Sequence, residues 1–87
     1  MTAIPTAKTH RKRFEALNIA LDKVVLARSA LKTAANHAER GGMRGTAERL
    51  REQDEDLYRE QTAIRDERDR LAVLLALEPL QPTRGGA

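Results

Sequence analysis

The 87-residue sequence contains no cysteine and no tryptophan, and it has only one phenylalanine and one tyrosine. Without cysteine the chain has no disulfide framework, no thiolate nucleophile and no zinc knuckle. The absence of cysteine fits a reducing compartment, so we expect a cytoplasmic location. The scarcity of aromatic side chains leaves few large groups around which a core could form.

Long apolar runs are also missing. The longest, residues 71–77, has seven residues, whereas a membrane-spanning helix needs about 20. At the N-terminus, MTAIPTAKTHRKRF places its basic cluster after a few apolar residues and contains no apolar h-region. We therefore expect neither a secretory signal nor a membrane span.

The sequence is instead rich in charge and in alanine. Charged residues make up 33% of the chain, hydrophobic residues 40%, and fourteen residues are alanine. Alanine favours helix but buries little surface, so the composition predicts one small helical domain with few large core residues.

The first helix is predicted over residues 7–40. It follows a tail, residues 1–6, in which Thr6, or Thr9 just beyond the tail, could serve as the N-cap. One face of this helix recurs at spacings of three and four residues, and its only interruption is Arg28. The members of that face are Phe14, Leu17, Leu21, Val24, Leu31, Ala35 and Ala38.

Glycines mark a break near the middle of the chain. Gly41 and Gly42 stand where a helix C-terminus favours positive φ, and Thr46 is placed to cap a second helix. We predict a loop over residues 41–45 and a second helix over 46–78, followed by a tail, 79–87, that need not fold. The apolar positions of the second helix recur every seven residues, at Leu50, Leu57, Ile64 and Leu71.

A short loop between two long helices makes them antiparallel. The predicted fold is therefore all-α: a single domain, residues 7–78, forming a coiled-coil-like hairpin in which facing residue numbers add to about 85. This register places Phe14 opposite Leu71, and Arg28 within reach of Asp54. Arg28 could set the register through that carboxylate, or its side chain could extend to solvent at the edge of the seam, the strip along which the two helices face each other. Of the two, the sequence favours the extended side chain.

Two slender helices enclose little core, so we expect the hairpin to be completed by contact with another protein. The partner could be a second copy, giving a four-helix bundle, or a larger host protein. Alternatively, the N-terminal segment with Ile4 and Phe14 folds back over the apolar end of the second helix and leaves a stable monomer. The predicted interface residues are Ile19, Leu26, Leu71, Leu74, Leu75 and Leu77.

Charge is distributed unevenly along the chain. Residues 1–13 carry a local charge of +4 and residues 46–70 a charge of −3. The basic cluster could contact nucleic-acid phosphates, although no interleaved aromatic residue is present for base stacking. Its members are Lys8, Arg11, Lys12 and Arg13. Along the second helix we expect ion pairs four residues apart, such as Arg51 with Glu55 and Arg65 with Asp69.

No arrangement of residues points to catalysis. His10 and His37 lie 27 residues apart on the first helix, about 40 Å at 1.5 Å per residue, so they cannot share a metal ion. The GGMRG segment follows a helix and lacks the Lys-Ser/Thr pair of a phosphate-binding loop. We expect no enzymatic activity, no metal, no cofactor and no small-molecule substrate. The predicted function is that of a structural, adaptor or inhibitory protein, with nucleic-acid association as the alternative.

Overall fold

A computed structural model describes residues 7–77, which form two long helices. Helix α1 spans Ala7–Arg40 and helix α2 spans Arg44–Ala76. The helices are antiparallel, because Arg13 near the start of α1 contacts Glu67 late in α2, while Glu39 at the end of α1 contacts Arg51 early in α2. The prediction of an all-α antiparallel hairpin is confirmed.

The register of the two helices matches the predicted one. Side-chain hydrogen bonds cross between α1 and α2 at several levels, and in six pairs within residues 8–77 the residue numbers add to between 80 and 90. The predicted value was about 85. The apolar pairs expected from the same register, such as Phe14 with Leu71, remain predictions.

Helix α1 ends in a Schellman motif. The Met43 N–H donates to the Ala38 carbonyl at 2.8 Å, and the Gly42 N–H donates to the Glu39 carbonyl at 3.0 Å. Gly42 occupies the left-handed position of this motif with φ of +85°. A residue without Cβ adopts that φ at little cost, so the glycine stop expected from the sequence forms at Gly42.

Helix α2 begins earlier than predicted. It starts at Arg44, and Gly45 and Thr46 lie in its first turn. The N-cap residue is Met43, which makes no side-chain capping bond, so the prediction that Thr46 is the cap is wrong. The Schellman motif reverses the chain within three residues, and the Met43 carbonyl already accepts the Ala47 N–H at 3.0 Å. The helix ends at Ala76 with Leu77 as the C-cap.

The core of the hairpin is thin. Within residues 8–77, the fully buried hydrophobic residues are Ala35, Ala47 and Leu71, and Leu71 is the only large one among them. The other large seam residues are half-buried, because each helix has one neighbour and two sides open to solvent. They are Phe14, Leu17, Leu21, Val24, Leu31, Leu50, Leu57 and Ile64.

Neither α1 nor α2, the helices within residues 7–77, has the length and apolarity needed to cross a membrane. The predicted tails, 1–6 and 79–87, lie outside the described residues. The alternative in which Ile4 folds back over α2 also lies outside them.

Candidate interaction surfaces

A polar cluster joins the two helices near the middle of the hairpin. The Arg28 Nε donates to Asp54 Oδ1 at 2.8 Å, and Nη1 of the same guanidinium donates to Gln61 Oε1, also at 2.8 Å. The guanidinium carbon lies 4.8 Å from the centre of the Tyr58 ring, at a distance typical of cation–π contact. One arginine of α1 thus contacts three residues of α2.

The expected proximity of Arg28 to Asp54 is confirmed, and the extended arrangement that the sequence favoured is wrong. The Arg28 side chain is only 18% exposed, and that of Asp54 only 11%. Charge-assisted bonds to two acceptors and an aromatic face offset the loss of hydration. Sequence reasoning missed Tyr58, although its position one helical turn after Asp54 places it on the same side of α2.

Beside this cluster lies an open cleft of about 400 Å³ lined by Arg28, Asp54, Glu55, Tyr58 and Arg59. Its central charges are already committed, since Arg28 pairs with Asp54 and Arg59 pairs with Asp56 at 2.8 Å. The cleft is open to solvent, and among its charged lining residues Glu55 alone has no ion-pair partner within residues 7–77.

The predicted interface residues fall in three different environments. Ile19 and Leu26 are 60% and 63% exposed, seven residues apart on the side of α1 that points away from α2. Leu77 is 72% exposed at the end of α2, whereas Leu74 and Leu75 are half-buried.

Leu71 does not belong to an external surface. It is fully buried within the hairpin, because its position on the seven-residue repeat of α2 turns it toward α1. Val73, part of the apolar end of the second helix, is also exposed, and so is Val25, which was not predicted from the sequence.

Three members of the basic cluster, Lys8, Arg11 and Lys12, are exposed and have no ion-pair partner within residues 7–77. The fourth differs, since Arg13 Nη2 lies 2.9 Å from Glu67 Oε2. Arg70 also donates to Glu67, and this hydrogen bond is the main cause of the lowered pKa of the Glu67 carboxyl, with a smaller contribution from Arg13.

The ion pairs of α2 differ from those predicted at four-residue spacing. Arg51 contacts Glu39 of α1 at 2.6 Å instead of Glu55, and this bond lowers the pKa of Glu39. Arg65 lies 3.8 Å from the adjacent Asp66 instead of Asp69. Side chains at three-residue spacing are also neighbours on a helix, so long arginines have several carboxylates within reach.

The two histidines lie on α1 and are far apart, as expected. His10 has a buried Nδ1 atom with no hydrogen-bond partner among the described residues. Within residues 7–77, no three potential metal-ligating side chains are grouped closely enough to hold an ion.

Comparisons of the chain with protein-family models, with curated proteins and with solved structures found no match.

Proposed function

We propose that this protein is a non-enzymatic interaction module that works by self-association of its helical hairpin. One observation carries the proposal: the described hairpin fully buries only one large hydrophobic side chain, Leu71, while the other large seam residues stay half-exposed. Ordering a chain costs about 1.5 kcal/mol per residue, and apolar burial offsets about 25 cal/mol per Å². A second hairpin would supply the missing burial.

The position of the half-exposed seam residues supports the same function. Leu17, Val24 and Leu31 follow one another along α1, and Leu50, Leu57 and Ile64 along α2. Large apolar side chains gathered on a partly exposed surface are typical of protein contacts. Pairing two hairpins would give a four-helix bundle, in which each helix gains a second neighbour.

Sedimentation velocity on the full chain over a range of concentrations tests this function. We expect a dimer or larger species, and we expect the double substitution Leu74→Glu and Leu75→Glu to shift it to monomer. Ser29→Glu combined with Thr33→Glu is the control, since both residues are exposed and the pair adds the same two charges elsewhere. A compact monomer that unfolds cooperatively and is unaffected by the Leu74 and Leu75 changes would contradict self-association.

Nucleic-acid association remains the second candidate, because Lys8, Arg11 and Lys12 are exposed on the first two turns of α1 without ion-pair partners in residues 7–77. Such cations are available to phosphates. The acidic α2 opposes a nucleic acid lying along the hairpin.

A further inference from the structure

The seam between the helices consists of two rows that differ in chemistry. Because an α-helix turns about 100° per residue, residues seven apart lie on nearly the same side of a helix. One row on one side of the seam therefore contains positions 14, 21, 28 and 35 of α1 and positions 47, 54, 61, 68 and 75 of α2. Apart from His10 at the start of α1, every polar seam residue belongs to this row. Its polar members are Arg28, Asp54, Gln61 and Arg68.

The row on the other side of the seam is apolar from Leu17 of α1 to Leu71 of α2, and His10, seven residues before Leu17, is its polar end on α1. Seven of the eight apolar residues are half-buried, and only Leu71 is fully covered. We call the flat side of the hairpin that carries this row the apolar face, and the opposite side the polar face. The apolar row consists of Leu17, Val24, Leu31 and Ala38 on α1 with Leu50, Leu57, Ile64 and Leu71 on α2.

Three of the observed contacts lie on the polar side of this division, whereas Arg13 with Glu67 joins the helices at the border of the apolar face, near one end of the hairpin. The three are side-chain hydrogen bonds between the helices that lie toward the polar face, namely those of Arg28 with Asp54, Arg28 with Gln61, and Arg68 with Asn18. Tyr58 covers Arg28 on that face. Large apolar side chains that are half-exposed in an unbroken row have no covering element within residues 7–77.

The borders of the apolar face also differ between the helices. Small residues, Ala20, Ala27 and Ala34, border it on α1, so another helix could approach closely there. The border on α2 carries Glu60 and Glu67. Overall α1 has eight basic and three acidic residues, a net +5, whereas α2 has seven basic and nine acidic residues, a net −2.

We propose that a second copy of this chain covers the apolar face, with both turns at the same end, so that α1 of each copy lies over α2 of the other. This inference rests on the proposed self-association and adds its surface and orientation. Charge decides the orientation, because the same-end arrangement places a basic helix over an acidic one. With the turns at opposite ends, α1 of one copy would lie over α1 of the other, and the acidic borders of the two α2 helices would face each other and repel.

Two unpaired charges fit this arrangement. Lys23 lies beyond the alanine border of α1, and Glu60 lies on the α2 border at nearly the same level along the hairpin. Both are exposed, and neither has an ion-pair partner within residues 7–77. In the same-end dimer, Lys23 of each copy lies over Glu60 of the other.

The size of the face suits a stable dimer. Each helix is about 50 Å long and about 10 Å wide, so the face offers about 1,000 Å². A standard interface buries about 800 Å² per partner. Ile19 and Leu26 lie on the outer edge of α1 and would stay uncovered in this dimer.

The first test compares Ala27→Glu with Val25→Glu by sedimentation. Both residues are exposed on α1, but Ala27 borders the apolar face and Val25 borders the polar face. We expect Ala27→Glu to raise the dimer Kd by about 100-fold, because a charge enters the interface, and Val25→Glu to change it by less than about threefold. Circular dichroism checks that both variants stay helical.

The second test measures orientation. The chain has no cysteine, so Met43→Cys, at an exposed turn position, gives a single site for a spin label. In the same-end dimer the two labels lie within about 30 Å of each other, whereas in the opposite arrangement they lie about 50 Å apart, the length of a helix. Double electron–electron resonance distinguishes these distances.

Each failure has a distinct meaning. A monomeric wild type contradicts the proposed function itself. A dimer that survives Ala27→Glu but dissociates with Val25→Glu, or with Leu26→Glu, overturns the choice of face and leaves self-association intact. If Ala27→Glu dissociates the dimer but the two labels lie about 50 Å apart, the face is correct and the same-end orientation is wrong. Lys23→Glu should weaken the dimer, and adding Glu60→Lys should restore it.

Discussion

The Nε atom of Arg28 donates a 2.8 Å hydrogen bond to Oδ1 of Asp54 and links the middle of α1 to α2. We expect Asp54→Ala to lower the free energy of unfolding by about 2 kcal/mol, because it leaves a mostly buried guanidinium with one acceptor fewer. Urea unfolding followed by circular dichroism at 222 nm measures the change.

The matched control removes both charges. Arg28→Leu combined with Asp54→Leu should unfold at the wild-type urea concentration or higher, since apolar residues can replace a buried ion pair without loss. Arg28→Leu alone addresses the register role. Unchanged oligomer size together with raised stability would remove that role from Arg28.

Two glycines of the turn region should respond in opposite ways to alanine. Gly42 has φ of +85°, so Gly42→Ala should cost about 1 kcal/mol of stability. Gly45 lies inside α2, and a Cβ there would meet only the Arg49 side chain at 3.6 Å, so Gly45→Ala should add up to about 1 kcal/mol. Thermal melts of the two variants would show a lowered and a raised Tm; the same direction for both would contradict the observed turn.

Acid should weaken the contact between Glu67 and its two arginines. The pKa of Glu67 lies below its usual 4.5, mainly because Arg70 donates to the carboxylate. A lowered folded-state pKa contributes stability above pH 4.5 that disappears as the pH falls through the folded value. Glu67→Gln should therefore reduce the loss of stability between neutral and acidic pH, by a small amount because the pair is exposed. An unchanged pH profile in that variant would show that Glu67 contributes nothing.

The nucleic-acid alternative predicts binding through the start of α1. Duplex or single-stranded probes should shift at about 50 mM salt, and neutralising Lys8, Arg11 and Lys12 to glutamine should abolish the shift. Arg13→Gln is the control, since Arg13 already pairs with Glu67 and is less available to phosphate. Absence of any shift of the wild type at low salt would end this alternative.

Periodicity was sufficient to predict the helices and their register. The seven-residue recurrence of Leu50, Leu57 and Ile64 indicates which side of α2 faces α1, and a short turn leaves the helices only the antiparallel arrangement. Gly42 was recognisable as a helix stop because few other residues tolerate positive φ.

Side-chain choices were less predictable. Thr46 has the chemistry of an N-cap, but the Schellman motif at Gly42 completes the reversal before the chain reaches it. Arg28 was expected to extend to solvent because the sequence does not show that Gln61 and Tyr58 converge on it. Leu71 was counted as external because the apolar run from 71 to 77 covers all sides of a helix and does not indicate which member turns inward.

Because α1 begins and α2 finishes at the same extremity of the rod, anything fused upstream or downstream of this hairpin emerges from one pole. The glycine-containing turn lies at the opposite end of the hairpin, away from both points of attachment. Reporter domains fused before α1 and after α2 would therefore start from neighbouring points, so the hairpin would hold two fused domains close together.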